Sequence, residues 1–100
     1  MLIYHIVLPP VWKQFINEPS FEAESLTTEG FIHCSYPDQL DTVLKRYYED
    51  AGTVFILSIE TEKLTSELVE EASTNNEIYP HIYGSINRDA VVAVAEREIN

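Results

Sequence analysis

The stretch Thr53-Val54-Phe55-Ile56-Leu57-Ser58-Ile59 (TVFILSI) is the most strand-like part of the chain and decides the class of fold. Its β-branched and apolar residues favour a strand over a helix. Residues 2–8 form a second apolar run, which predicts a strand that is buried on both faces. The sequence therefore predicts a core that is built on strands, with helices between them.

Two segments between the predicted strands have helical patterns. Pro10 can open a short helix, because proline is tolerated in a first turn, and residues 11–15 give that helix an apolar side. Residues 37–39 begin a longer helix, and Gly52 closes it. The apolar residues of the longer helix recur at i, i+3, i+4, i+7 and i+8, and they are Leu40, Val43, Leu44, Tyr47 and Tyr48.

Residues 31–35 are predicted to form another strand, preceded by a loop and a turn over residues 17–30. Because side chains alternate along a strand, Phe31, His33 and Ser35 share one face of it. This face carries one aromatic and two polar side chains. It is therefore a candidate wall of a binding site.

The last third of the chain is rich in strand signals. Residues 68–72 and 91–94 are predicted as strands, with a helix as the alternative for the second segment. Pro80 interrupts residues 77–83, so this segment is predicted as an edge strand or an irregular extended segment. Strands gathered late in the chain favour an α+β class, strand-rich with two main helices. A length of 100 residues predicts a single domain over residues 1–100.

The charge balance excludes two classes of partner. Seventeen acidic and six basic residues give a net charge of −11, without the basic stripe that nucleic-acid binding needs. The same charge repels an anionic membrane surface, and no apolar run is long enough to span a bilayer. Cys34 is the single cysteine, and the N-terminus lacks a signal-peptide pattern. We therefore expect a cytoplasmic protein that binds neither nucleic acid nor membrane.

The three histidines are the strongest candidates for chemistry. His5, His33 and His81 lie in or beside apolar segments, and each has a hydroxyl-bearing neighbour in the sequence: Tyr4, Ser35 and Tyr83 respectively. Imidazole titrates near neutral pH, so it serves acid–base catalysis, hydrogen bonding and metal binding. We expect these residues to form one polar cleft.

Other chemistries have less support from spacing. The three histidines are far apart in the sequence, so no H-x-H or H-x-x-x-H pair supports a zinc site. A serine or cysteine nucleophile also has little support. His33 and Ser35 project in parallel from one strand rather than towards each other, and Cys34 points to the opposite face from His33. No G-x-S-x-G motif is present. Among the acidic residues, Glu71 is the candidate that could project into a cleft from the strand over residues 68–72.

The motifs IYHI (residues 3–6), EGFIHCS (29–35) and PHIYG (80–84) are similar to those of a family of small bacterial proteins known only as a domain of unknown function. In fold, that family resembles the ADP-ribosyltransferase-like proteins, which include the RNA 2′-phosphotransferases. Tyr4-His5 looks like their first motif, and residues 32–35 look like their second. The resemblance implies a split sheet and a site for NAD.

The resemblance also implies roles for individual residues. His5 would hold a ribose hydroxyl of NAD, and His33 and Ser35 would support the nicotinamide side. The catalytic glutamate of the classical transferases has no clear match here, so Glu71 and His81 are only positional candidates. The remaining candidate ligand contacts are Tyr4, Tyr83 and Gly84.

Three functions follow as hypotheses, all with a small molecule as the partner. The first is an enzyme that uses NAD or a related ribosyl nucleotide, in which Phe31 or Tyr83 would stack on a ring. The second is a ligand-binding or regulatory module without turnover. The third is a metal-dependent enzyme that uses the three histidines. A bound pyrophosphate would need compensation from Arg88 or from a helix N-terminus. The sequence carries no signal of oligomeric state.

Overall fold

The computed structural model describes residues 1–99, except for the side chain of residue 74. Its helices are α1 (Pro9–Phe15), α2 (Glu24–Thr28) and α3 (Leu40–Tyr47). Its strands are β1 (Leu2–Val7), β2 (Ser20–Phe21), β3 (Ile32–His33), β4 (Thr53–Glu60), β5 (Glu67–Ala72), β6 (Ile78–Tyr83), β7 (Ile86–Asn87) and β8 (Val91–Glu98). Short 3₁₀ turns occupy Pro37–Gln39, Thr61–Lys63, Thr74–Asn76 and Arg88–Ala90.

The strands form two antiparallel three-stranded sheets and one short pair. The orders are β1-β4-β8 and β3-β6-β5, and β2 pairs with β7. One backbone bridge joins the two larger sheets, because the amide nitrogens and carbonyl oxygens of Tyr4 and Ser35 exchange hydrogen bonds of 2.8 Å. Both bridged residues line the cleft that is described below as the candidate site.

The predicted strand at residues 53–59 is the central strand β4 of its sheet, and its two faces bury different clusters. Leu57 and Ile59 pack with Trp12 and Phe21 in the main core. Val54 and Ile56, on the other face, pack with α3 through a smaller cluster that includes Leu44. The alternation follows from the two-residue period of a strand. The structure confirms a compact α+β domain with many strands and two main helices.

One strand differs clearly from its prediction. The segment containing Pro80 is β6, which lies between β3 and β5 rather than at an edge. The Pro80 carbonyl accepts a 3.1 Å hydrogen bond from the amide of Cys34. In an antiparallel ladder both backbone polar atoms of a residue face the same neighbour, so the missing N–H faces the end of β3. At this point the segment that follows β3 leaves β6 and pairs with β1 through Ser35. Pro80 therefore removes only one backbone hydrogen bond from the sheet.

The prediction for residues 17–30 also needs correction. The predicted loop contains β2, which pairs with β7, and the predicted turn is the helix α2. The signal was weak because α2 has five residues, too few to display a helical period. Gly30 follows with φ of +91°, the left-handed conformation that a helix C-terminus favours. Within residues 1–99 no helix has the length and apolar character that crossing a bilayer requires.

Candidate functional site

A cleft of about 550 Å³ lies beside the bridge that joins the two larger sheets. The edge of β1 forms one wall, the end of β3 forms another, and side chains of α3 close a third side. Its polar and aromatic lining includes Tyr4, His5, His33, Ser35, Tyr47 and Tyr48. The volume lies within the range of small-molecule sites in proteins.

His5 is held in one tautomer by the backbone. Its side chain is 8% exposed, and its Nδ1 lies 2.7 Å from the carbonyl oxygen of His33. A carbonyl only accepts, so Nδ1 carries the proton and donates it. Burial lowers the pKa of His5 from 6.5 to about 4, so the ring is neutral at pH 7. The lone pair therefore sits on Nε2.

The cleft is aromatic and has little charge. Among residues 1–99, Glu24 is the only charged residue that lines it, and no lysine or arginine does. Arg46 does not line the cleft, but its guanidinium carbon lies 5.8 Å from the ring centre of Tyr47, which does. The hydroxyl of Tyr79, another lining residue, donates a 2.7 Å hydrogen bond to Glu77. Such a lining suits a flat ring that carries hydroxyl groups.

A second group of polar side chains lies on one face of the sheet β3-β6-β5. We call it the His81 cluster, and its members are Glu29, Phe31, His33, Glu71, His81 and Tyr83. His33 and His81 are directly opposite each other in the ladder, and their ring centres are 5.4 Å apart. Phe31 stacks on His81, with 4.1 Å between ring centres and 20° between ring planes.

Carboxylates anchor both histidines of this cluster. Nδ1 of His81 lies 2.7 Å from Oε1 of Glu71, and Nε2 of His33 lies 3.0 Å from Oε2 of Glu29. The hydroxyl of Tyr83 also donates to Glu71. The hydrogen bonds from Tyr83 and His81 lower the pKa of Glu71, and the same contact with Glu71 raises the pKa of Tyr83.

The structure therefore divides the predicted site residues into two groups. His5, His33, Tyr4 and Ser35 line the cleft, whereas Glu71, His81 and Tyr83 do not. His33 belongs to both groups, because its ring also contacts Phe31 and His81. The expectation of one cleft lined by all three histidines is corrected by this division. The physical reason is that the ring of His81 is covered by Phe31 and hydrogen-bonded to Glu71, whereas His5 is hydrogen-bonded to the carbonyl of His33 beside the cleft.

Gly84 has a different surrounding from the other candidates. It lies just beyond β6, and a Cβ added there would approach the Cβ of Ser66 to 2.8 Å. Gly84 does not line the cleft. Its lack of a side chain therefore serves the close approach of the chain to Ser66.

One other expectation depended on a residue that is engaged elsewhere. Arg88 was a candidate partner for pyrophosphate, but its guanidinium donates to the carbonyls of Phe15 and Ile16 at the end of α1 and lies 5.1 Å from the Trp12 ring. Cys34 is buried, and burial raises the pKa of its thiol. Across residues 1–99, no three ligands of the His, Cys, Asp or Glu type converge as a metal site would require.

Sequence reasoning missed four residues around these sites. Tyr47 and Tyr48 were assigned to the apolar stripe of α3, but both line the cleft. Glu24 was assigned to a loop, and Glu29 to a turn. One signal could have found Glu29, because it precedes His33 by four residues across a glycine turn.

Comparisons with known proteins agree with one another. Residues 6–94 match a family described as proteins of unknown function, DUF952. The crystal structure of protein CC0527 from Caulobacter crescentus is 26% identical, with a TM-score of 0.90 over 100% of this chain and 89% of that one. Its solution NMR structure gives 26% identity and a TM-score of 0.84 over 99% and 86% of the two chains. No curated protein matches the chain significantly.

Proposed function

The chain belongs to this DUF952 family, and we propose that it binds NAD or a related ribosyl nucleotide through the cleft between its two sheets. The ligand is held by its nucleoside part. His5 accepts a hydrogen bond from a ribose hydroxyl, and the tyrosines of α3 contact the base or nicotinamide ring.

The fixed tautomer of His5 is the observation that carries this proposal. Because Nδ1–H donates to the carbonyl of His33, Nε2 is an acceptor. Within residues 1–99 this atom has no hydrogen-bond partner, although the residue lines the cleft. A ribose hydroxyl is a donor of the required kind. Low pKa keeps this acceptor available throughout the neutral range.

Charge determines which part of the nucleotide enters. Among residues 1–99 the lining includes Glu24 but no lysine or arginine, so a nicotinamide riboside moiety, whose ring is cationic, suits the cleft better than a phosphate. The phosphates of NAD would lie at the rim, where Arg46 stands over Tyr47. Arginine is well suited to such a contact, because its planar guanidinium can bind phosphate oxygens in pairs.

The resemblance to ADP-ribosyltransferase-like proteins supports the same assignment. It implies that His5 holds a ribose hydroxyl and that the second-motif strand with His33 and Ser35 lies beside the nicotinamide. In the described fold, Ser35 is bridged to Tyr4, the residue before His5. The two motifs of the resemblance are thus neighbours at the same end of the cleft.

Binding without transfer is the form of the proposal that the geometry favours. Glu71, the positional candidate for a catalytic glutamate, does not line the cleft and is hydrogen-bonded to His81 and Tyr83. A carboxylate that stabilises positive charge at an anomeric carbon must lie beside that carbon. We therefore expect a ligand-binding module and no release of nicotinamide.

The binding test is a ligand titration in which NMR monitors the resonances of the histidine rings. NAD, ADP-ribose and nicotinamide riboside are added separately, and the ¹⁵N resonance of His5 Nε2 should move with NAD and nicotinamide riboside. His5→Phe keeps a ring but removes the acceptor, so it should weaken binding about tenfold or more. His81→Gln is the matched comparison, because His81 is another buried histidine but does not line the cleft, and this change should leave binding nearly unchanged. An unchanged His5 resonance at about millimolar ligand would rule out the proposal.

Two further measurements separate the parts of the proposal. Arg46→Gln should weaken the binding of NAD while leaving that of nicotinamide riboside nearly unchanged, because only NAD carries a pyrophosphate. Prolonged incubation of the protein with NAD should release no nicotinamide. Release that depends on Glu71 would instead establish the transferase or hydrolase alternative.

A further inference from the structure

We propose that Glu29 is a positioning residue of the cleft. It holds the ring of His33, and through the backbone carbonyl of His33 it keeps His5 in the tautomer that accepts a hydrogen bond from the ligand. The ligand in this inference rests on the proposed function, whereas the hold on His5 is a property of the protein without ligand. The direction of the His33 carbonyl, the incomplete ladder beside it and the contact with Glu29 support the inference.

The carbonyl of His33 points away from its own sheet. The amide of the next residue, Cys34, donates a 3.1 Å hydrogen bond to the carbonyl of Pro80, so the backbone of Cys34 faces β6. In an antiparallel ladder the polar backbone atoms of successive residues face opposite sides, so those of His33 face away from its partner His81. There the carbonyl lies 2.7 Å from Nδ1 of His5. The oxygen that fixes the tautomer of His5 therefore receives no hydrogen bond from β6.

The backbone around this carbonyl is held by fewer hydrogen bonds than a regular sheet supplies. The strand β3 has only two residues, Ile32 and His33. Just beyond it, Pro80 cannot donate a hydrogen bond to Cys34, because proline has no N–H. The next backbone exchange is the bridge between Ser35 and β1. Contacts of the His33 side chain therefore help to fix the place of its carbonyl.

Glu29 supplies a hydrogen bond to that side chain. Its Oε2 lies 3.0 Å from Nε2 of His33, and a carboxylate only accepts, so Nε2 carries the proton. Glu29 also directly follows α2, and its amide donates a 2.7 Å hydrogen bond to the carbonyl of Ser25. Ser25 and Glu24 of α2 line the cleft, as His33 does. Glu29 therefore joins the α2 wall of the cleft to the wall at the end of β3.

Two other rings contact His33, but neither forms a hydrogen bond with it. Phe31 and His81 lie edge-on to its ring, with ring centres 4.8 and 5.4 Å away. Among residues 1–99, the contact with Glu29 is the one hydrogen bond of the His33 side chain. A hydrogen bond to an ionised carboxylate is stronger than one between neutral groups. We therefore assign the positioning role to Glu29 and not to the aromatic contacts.

The test measures how fast the Nδ1 proton of His5 exchanges with solvent in the full chain without ligand. Glu29→Ala removes the hydrogen bond to His33, so the bond from His5 should open more often and its proton should exchange about threefold faster. Glu29→Gln keeps an oxygen that accepts from Nε2, and it should restore most of the original rate. The indole N–H of Trp12, a residue of the main core, should exchange at an unchanged rate.

The binding of nicotinamide riboside gives a second readout. In Glu29→Ala the ligand must order a ring that is held less firmly, so binding should weaken about threefold. Glu22→Ala is the matched control, because it removes the same charge from an exposed residue that does not line the cleft. Both measurements should be nearly unchanged in this control.

Two results would overturn the role of Glu29. One is an unchanged exchange rate at His5 in Glu29→Ala, and the other is an equal change in the Glu22 and Glu29 variants, which would show an effect of net charge alone. A failure of the unaltered protein to bind nicotinamide riboside would overturn the proposed function instead. The exchange rate, which needs no ligand, would then decide the role of Glu29 by itself.

Discussion

His5 and His81 are both buried in strands, and both use Nδ1 in a 2.7 Å hydrogen bond, but their surroundings differ. The partner of His5 is a backbone carbonyl, whereas the partner of His81 is the carboxylate of Glu71. A backbone carbonyl, which is a neutral acceptor, stabilises one neutral tautomer of a buried imidazole ring. A carboxylate attracts positive charge as well. The comparison shows that distance alone does not define the chemistry of a buried imidazole.

The difference extends to the two sites. The cleft around His5 has aromatic walls and little charge, and the neutral ring of His5 contributes an acceptor at Nε2. The His81 cluster combines carboxylates with aromatic rings on an open sheet face. His33 joins them, since its carbonyl orients His5 and its ring contacts His81. One residue of β3 thus contributes backbone to one site and side chain to the other.

The largest expected effect is a loss of stability in acid that depends on His5. The folded pKa of His5 is about 4, whereas the unfolded value is 6.5, so the unfolded chain binds more protons between these values. The stability that the neutral His5 ring contributes is therefore present above pH 6.5 and is lost as the pH falls towards 4. We expect the free energy of unfolding to fall by about 2 kcal/mol between pH 7 and pH 5 through this residue. Urea denaturation at both pH values measures it.

His5→Phe provides the control for this loss. The variant lacks the titrating ring, so its stability should change much less between pH 7 and pH 5. Other groups that titrate in this range remain in the variant, and the difference between the two proteins isolates His5. An equal fall in both proteins would show that the buried neutral ring does not control acid stability.

The next effect compares the loss of each imidazole at pH 7. His5→Phe leaves the carbonyl of His33 without its donor, whereas His81→Phe removes a nitrogen that has no partner. Glu71 is exposed enough to be hydrated after the change. We expect His5→Phe to destabilise the fold by about 1 kcal/mol more than His81→Phe does. Denaturation of the two variants side by side would test this, and the reverse order would contradict it.

Local pattern was sufficient for most of the strands. The apolar and β-branched runs of β1 and β4 predict strands, and burial agrees with strand propensity there. β5 and β8 are also strands as predicted, although neither contains a fully buried residue. The period of two also placed Phe31 and His33 on one face, and the contact between their rings confirms this. For these strands, the local sequence alone is enough to predict the secondary structure.

The arrangement of the sites could not be read from local pattern. Pro80 indicated an edge, and only the departure of the chain at Cys34 makes a proline acceptable in the central strand β6. The separation of His5 from His81 depends on which strands pair, which no single segment encodes. The spacing of Tyr47 and Tyr48 is compatible both with packing in the core and with lining a cleft, because both need side chains on one face of the helix.

The smallest expected effect separates two tyrosine–glutamate pairs on opposite faces of β5. Tyr83 donates to Glu71, and Tyr36 donates to Glu70. The main cause that raises the pKa of Tyr83 is its hydrogen bond to Glu71. For Tyr36, burial is the main cause, and it acts with Glu70 to raise the pKa to about 12. Glu71→Gln should therefore lower the pKa of Tyr83 more than Glu70→Gln lowers that of Tyr36.

A pH titration of the tyrosine ¹³Cζ resonances measures both values in each protein. Each variant is the control for the other, because both remove one charge from β5 and leave the other pair intact. Equal decreases would mean that net charge dominates and that the hydrogen bond from Tyr83 is not specific. A larger decrease at Tyr83 would show that Glu71 is held by direct contacts on the face of the His81 cluster.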